Sequence, residues 1–322
     1  MRVETGGTLV DSPRFNRVPP RQVADRAAVY FKSLRKMGYA AMGVGSHEMK
    51  LGVKELKKLS RKHKVPLVSA NIIDSKTRKP VFQSHVIKQV GALRMCFIGL
   101  VSDSPEELGP LFVDKGYEVT SPVAAAKEAL KKLKGKRCDL VAVLSQLRRN
   151  EVDTLGEKVE GIDLVLGSTN QGLSSSLERV GGAYFGDCFN KGKYVGRLLI
   201  SPGKDKGRYV IANLRATLQN EKLSLARRVR DIAGQLEEAD KPNGAVKLTD
   251  DSRRVLQQNL AGLRAKMQRV NLELEEEAED PGKASLLDLS MHALSSDIKD
   301  DKRVLKLVDG YKKRWKVKGA GH

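Results

Sequence analysis

Three side chains capable of chemistry stand side by side at Ser46-His47-Glu48, directly after an apolar run, Tyr39-Ala-Ala-Met-Gly-Val-Gly45, that stops at a glycine. A hydroxyl, an imidazole and a carboxylate at such a point can bind an anion, move a proton or ligate a metal. Buried parallel strands need small apolar residues on both faces, and the loops leaving their carboxyl ends carry ligands and catalysts. Gly43-Val-Gly45 lacks the third glycine of a dinucleotide loop and the Gly-Lys-Ser/Thr of a phosphate loop, so neither nucleotide motif is present.

The elements that must hold this cluster follow from periodicity. Gln22 to Met37 has helical spacing through Val23, Ala27, Tyr30 and Leu34, and Leu51 to His63 repeats it with a lysine-rich outer face. Val65 to Asn71 is expected as a short strand, and Val86 to Val90 with Arg94 to Leu100 as a hairpin. Pro122 to Leu133 is expected as a helix with proline in its first turn. Leu140 to Ser145 and Ile162 to Gly167 are two more apolar strands. Alternating helices and strands imply a layered α/β sheet. Residues 181–185, 194–200 and 208–214 are expected as antiparallel strands closing one side of it, and Val3 to Pro20, with three prolines and two glycines, as loop.

From Arg215 onward the pattern changes to apolar residues at heptad spacing. Leu225, Val229, Ile232 and Leu236 form one stripe, Leu256 to Leu274 a second, and Leu287, Met291, Leu294 and Ile298 a third. Pro242 and Pro281 interrupt them. The expectation is three helices folded as an antiparallel coiled coil, with domains at 1–214 and 215–314 and a tail at 315–322. Tyr311 and Trp315 are expected to cap the last helix.

By its residues the first part of the chain resembles the metallophosphoesterase domain of the bacterial 5′-nucleotidase and UDP-sugar hydrolase family. The resemblance runs from about residue 3 to 200 and rests on Gly45-Ser-His-Glu48, Val68-Ser-Ala-Asn71, Phe97-Ile-Gly-Leu100, Gly161-Ile-Asp-Leu-Val-Leu-Gly167 and Gly192-Lys-Tyr-Val-Gly-Arg197. It implies a layered mixed sheet flanked by helices. It also implies two divalent metals, held by Asp, Asn and His, whose bridging water attacks phosphorus while a histidine stabilises the developing charge. That histidine falls on His47, followed by Glu48.

The family's metal ligands do not carry over. Its Gly-Asp falls on Gly6-Gly7, its asparagine on Ser46, its Ser-His on Ser145-Gln146, and its Gly-His-x-His on Ser168 to Gln171, with Thr169 and Gln171 in the ligand places. The Asp-x-His pair would lie ahead of Met1, so the first strand is expected to be missing from this chain. Serine, threonine and glutamine oxygens are poor replacements for carboxylate and imidazole. The expectation is a fold of this lineage without metal cofactors, serving as a binding or scaffold protein, with His47, Ser46, Glu48, Gln146, Thr169 and Gln171 lining a vestigial crevice. The alternative is a metal-dependent phosphoester hydrolase acting on nucleotides or phosphosugars through an altered site.

A net charge of +20 and a pI near 9.8 favour anionic partners. The expected partners are a helix or second copy along the heptad seams and a small anion in the crevice. Nucleic acid is not expected, because no aromatic residues interleave the basic runs. No apolar run reaches the ~20 residues of a membrane span. The family implies the periplasm or cell envelope, although Met1 to Gly7 is no signal peptide. Cys96, Cys138 and Cys188 show no metal spacing, and Cys96 reads as a small buried hydrophobe.

Overall fold

Leu140-Val-Ala-Val-Leu-Ser-Gln146 carries apolar residues at successive positions, a pattern stable only in a strand covered on both faces. In the computed structural model, which describes all residues except 10–17, 105–115, 170–171, 189–191, 206, 213, 242–246, 277–282 and 318–322, this segment lies inside a six-stranded sheet.

The chain begins with β1 (Arg2–Glu4), α1 (Pro20–Lys36), β2 (Tyr39–Gly43), the single turn α2 (Ser46–Met49), α3 (Val53–His63) and β3 (Leu67–Val68). It continues through β4 (Ile72–Asp74), β5 (His85–Val90), β6 (Leu93–Val101), β7 (Tyr117–Val119), α4 (Pro122–Leu133), β8 (Leu140–Gln146), α5 (Arg149–Lys158) and β9 (Leu164–Leu166). Then come β10 (Glu178–Val180), β11 (Ala183–Gly186), β12 (Tyr194–Ser201), β13 (Tyr209–Ile211), α6 (Leu214–Asp240), α7 (Asp250–Glu276), β14 (Ser285–Ala293) and α8 (Lys302–Trp315).

Strand order in the large sheet is β10-β11-β9-β8-β6-β5, with β6, β8, β9 and β11 parallel. The helices α4 and α5 cover one face, where Ala126, Ala129, Val152 and Leu155 pack on Ile98, Leu100, Val143 and Val165. A second, parallel sheet of order β1-β2-β3 is covered by α1 and α3 through Phe31, Leu34, Leu56 and Leu59. The two sheets meet closely. A Cβ on Gly99 of β6 would stand 2.0 Å from the Val68 carbonyl of β3, so only glycine fits there. This is the layered α/β arrangement expected of the first two hundred residues.

Several expectations are corrected. Arg2–Glu4 is a strand, not loop, because it finds a parallel partner in β2. Cys96 is not a lone hydrophobe but is disulfide-bonded to Cys138, which enters β8 beside it. The antiparallel closure holds only for β10 on β11, whereas β11 joins β9 in parallel, and β12 and β13 belong to a separate sheet of order β12-β14-β13. The third heptad stripe is a strand for most of its length. Ser285, Leu287, Leu289, Met291 and Ala293 also alternate with period two, and pairing with β13 (Tyr209↔Ser285 to Ile211↔Leu287) selects that reading and buries Leu287 fully.

Two helices of the expected three remain. Ion pairs Glu221–Lys266 (2.9 Å) and Asp240–Arg253 at opposite ends show that α6 and α7 run antiparallel, with Leu218, Leu225 and Val270 buried between them. The chain divides into one unit of Met1–Leu198 with Leu289–His322 and a second of Leu199–Asp288. The boundary therefore cuts β12 and β14, and α8 belongs to the first unit. There it lies along α1, where Trp315 Nε1 donates to Asp25 Oδ2 at 3.1 Å.

Candidate functional site

The carboxyl ends of β1, β2 and β8 converge on the turn Gly6-Gly7. Both glycines have positive φ (+101° and +80°), and a Cβ on Gly7 would lie 2.6 Å from Gln146 Oε1. This turn lets the chain pass under the end of β8 and present its N–H groups to the next loop. Glu48 receives them. Its fully buried carboxylate accepts from Gly7 N (2.9 Å), Thr8 N (2.8 Å), Leu9 N (3.2 Å) and, within its own turn, Gly45 N (2.8 Å). Four donors on two oxygens leave little acceptor capacity for a ligand.

His47 lies half-buried on the same turn, with Nδ1 3.1 Å from the Gly7 carbonyl. A carbonyl only accepts, so Nδ1 carries the proton and Nε2 is the nitrogen left for another partner. Gln146 lies across the glycines, where Nε2 donates to the carbonyls of Gly6 and Ser145, both at 3.2 Å. Ser46 is half-buried at the start of α2. Thr169 reaches the same end of the sheet through its backbone N–H, which donates to the Leu147 carbonyl at 2.9 Å. The structure thus brings His47, Glu48 and Gln146 together around Gly6-Gly7, with Thr169 one residue beyond on the β8 side. Gln171 lies outside the described residues.

Sequence reasoning missed Glu4 and Tyr30. Glu4 ends β1 close to Glu48, and burial, followed by the neighbouring carboxylate, pushes its pKa up to about 7 against the opposing hydrogen bonds of Gly6, Tyr30 and Thr5. The Tyr30 hydroxyl also pairs with Thr8 Oγ1 at 2.8 Å, and burial raises its pKa well above the usual phenol value. The available signal was the Arg2-Val-Glu4 alternation, hidden by the glycines after it. Asp187, also missed, is buried and accepts from Ser168 Oγ at 2.5 Å and, at its backbone N–H, gives to Ser174 Oγ at 2.8 Å. Asn71 spends its amide on structure, donating to Val101 O (2.6 Å) and Thr120 O (3.0 Å) while accepting from Val101 N (3.0 Å).

Two divalent metals require several carboxylate or imidazole donors turned toward a shared point. At the positions that the resemblance assigns to ligands stand Gly6-Gly7, Ser46, Gln146 and Thr169, and the nearby Glu48 carboxylate is filled by backbone N–H groups. Among the described residues no group of three or more His, Cys, Asp and Glu is placed to hold a metal ion. Among the described residues, the side chains standing at these positions do not fit the metal pair.

No family model matches the chain. It is 27% identical over 211 residues to the 5′-nucleotidase of Vibrio parahaemolyticus, an alignment covering 56% of this chain and 37% of that protein. Over 212 residues it is 23% identical to Protein UshA of Yersinia enterocolitica. The chain is a relative of the 5′-nucleotidase-like metallophosphoesterases. It spans little more than a third of the length of these curated relatives. The calcineurin-like phosphoesterase YfkN from Bacillus subtilis superposes with a TM-score of 0.60 at 14% identity, covering 97% of this chain and 82% of that one. At that identity the likeness is one of fold. In this 5′-nucleotidase relative, no described helix is long and apolar enough to cross a membrane.

Proposed function

We propose that this metallophosphoesterase relative acts as a binding or scaffold protein, its strand-end cluster having exchanged metal coordination for internal hydrogen bonding. The observation that carries this reading is Gln146. In the place of a ligand histidine, its amide donates to the carbonyls of Gly6 and Ser145, and its Oε1 closes over Gly7. Glu48 reinforces the closure, since its oxygens tie the Gly7-Thr8-Leu9 segment to the turn after β2. Such a cluster positions backbone; it does not activate water.

A second reading, an altered-site phosphoester hydrolase, draws on His47, whose Nε2 has no hydrogen-bond partner among the described residues. An assay with bis-p-nitrophenyl phosphate across Mg2+, Mn2+, Zn2+ and Ca2+ separates the two. The scaffold reading expects turnover indistinguishable from buffer with each ion, for the native chain and for His47→Ala alike. Metal-dependent turnover abolished by His47→Ala would overturn it.

A further inference from the structure

The chain's positive charge is not spread evenly. In the first unit, α1 carries five Lys or Arg against one acid, α3 five against one, and α8 six against one. These three helices account for thirteen of the +20 charges of the chain. On the other helical layer, α4 is balanced to +2 and α5 to −1. The basic helices also belong together in space, since α1 packs against both α3 and α8.

All sixteen basic side chains on the three helices are exposed. Lys58 pairs with Glu55, Arg303 with Asp301, and Arg314 with Asp25. Lys32, Lys36, Lys54, Lys57, Lys62, Lys302, Lys306, Lys312 and Lys313 make no ion pair among the described residues. Their field is felt locally: besides burial, Lys62 of α3 and Lys32 of α1 both act on His63 and lower its pKa. So many like charges left unneutralised on neighbouring helices cost stability through self-repulsion, which an anionic partner relieves.

Charge and side-chain type narrow that partner. Ten of the sixteen are lysines, flexible point charges suited to a diffuse anionic surface rather than to fork-like recognition of single phosphates. No aromatic ring offers a stacking platform, because Phe31 is buried and Tyr30, Tyr311 and Trp315 are half-buried. The helix α8 has no buried residue, ends in Lys312-Lys313-Arg314-Trp315, and leaves Leu305 more than a third exposed at 37%. A basic amphipathic helix at the surface, bearing an exposed leucine and a terminal tryptophan, is the composition of elements that lie on lipid headgroups.

We infer that the α1–α3–α8 face is a docking surface for an anionic lipid bilayer, held by its unpaired lysines. Near such a surface each lysine contributes on the order of 1 kcal/mol, so the loss of four should weaken binding by well over tenfold.

The test is co-sedimentation of the full chain with vesicles of phosphatidylcholine alone and with phosphatidylglycerol at about a third, at low and physiological salt. The expected result is binding to the anionic vesicles only, weakened by salt and cut more than tenfold in Lys54→Glu/Lys57→Glu/Lys306→Glu/Lys313→Glu. The control Lys127→Glu/Lys132→Glu/Lys134→Glu/Lys158→Glu alters net charge equally on the other helical side and is expected to keep most of the affinity. Circular dichroism and melting curves establish that both variants fold, and the four Lys→Gln changes on the basic face give a milder version expected to lose an intermediate amount. Equal losses in the two charge-reversal variants would overturn the assignment to this face. Absence of vesicle binding, or tighter binding to duplex DNA than to vesicles at the same salt, would overturn the lipid partner.

Discussion

At the scale of single residues, Glu48 bears the most structural responsibility. Its carboxylate satisfies three N–H groups about forty positions earlier in the chain, at half-buried Gly7 and Thr8 and at buried Leu9. Glu48→Ala should therefore destabilise the protein by about 3 kcal/mol or more, read as a lowered urea midpoint; a loss under about 0.5 kcal/mol would contradict the clamp. Glu4 and Asp163 give the opposite sign. Burial raises Glu4 from 4.5 to about 7 and Asp163 from 3.8 to about 6, so the folded state holds these protons more tightly than the unfolded chain does. Their contribution is most favourable below about pH 4 and is lost as pH rises through 6 to 7. Glu4→Gln should gain stability relative to the native chain between pH 4.5 and 7, by roughly 2 to 3 kcal/mol at the upper end. A pH-independent difference in urea melts would refute the shift.

The sequence made His47 and Glu48 visible as chemistry-bearing residues, but not what they do. Serine, histidine and carboxylate after a strand announce a strand-end turn. Whether the carboxylate faces a ligand or a backbone depends on Gly7, Thr8 and Leu9, whose approach no local pattern records. The same limit hid Glu4, whose role arises only when β1 lies beside β2.

At the scale of elements, strands covered on both faces were the most legible, as in β6 and β8, whose apolar residues run consecutively. Period proved ambiguous where two templates fitted the same residues. Leu287 and Met291 are spaced for a helix face, yet with Leu289 between them they equally suit one face of a strand, and the neighbouring strand decides. The Cys96–Cys138 bond was illegible for a related reason, since no spacing rule joins cysteines 42 residues apart. Closing a loop of that length restricts the unfolded chain by about 4 kcal/mol. Cys96→Ala/Cys138→Ala should melt well below the oxidised protein and no longer respond to dithiothreitol; a native chain whose melting ignores the reductant would argue against the bond.

At the scale of the whole molecule, two features that composition alone leaves separate fall into one description. The strand-end cluster is closed on itself by Gln146, Glu48 and the glycine turn, and the positive charge is gathered on α1, α3 and α8. On the proposed reading the end of the sheet positions backbone rather than a reacting ligand, and the exposed basic helices carry the stronger signal of contact with a partner. The most direct test of the closed cluster is a metal titration of the purified chain, followed by melting temperature and by elemental analysis after dialysis. The account predicts no saturable Mn2+ or Zn2+ binding, less than about a tenth of an ion retained per chain, and a melting temperature unmoved by EDTA. Stoichiometric retention of metal that raises the melting temperature, and that His47→Ala removes, would contradict it.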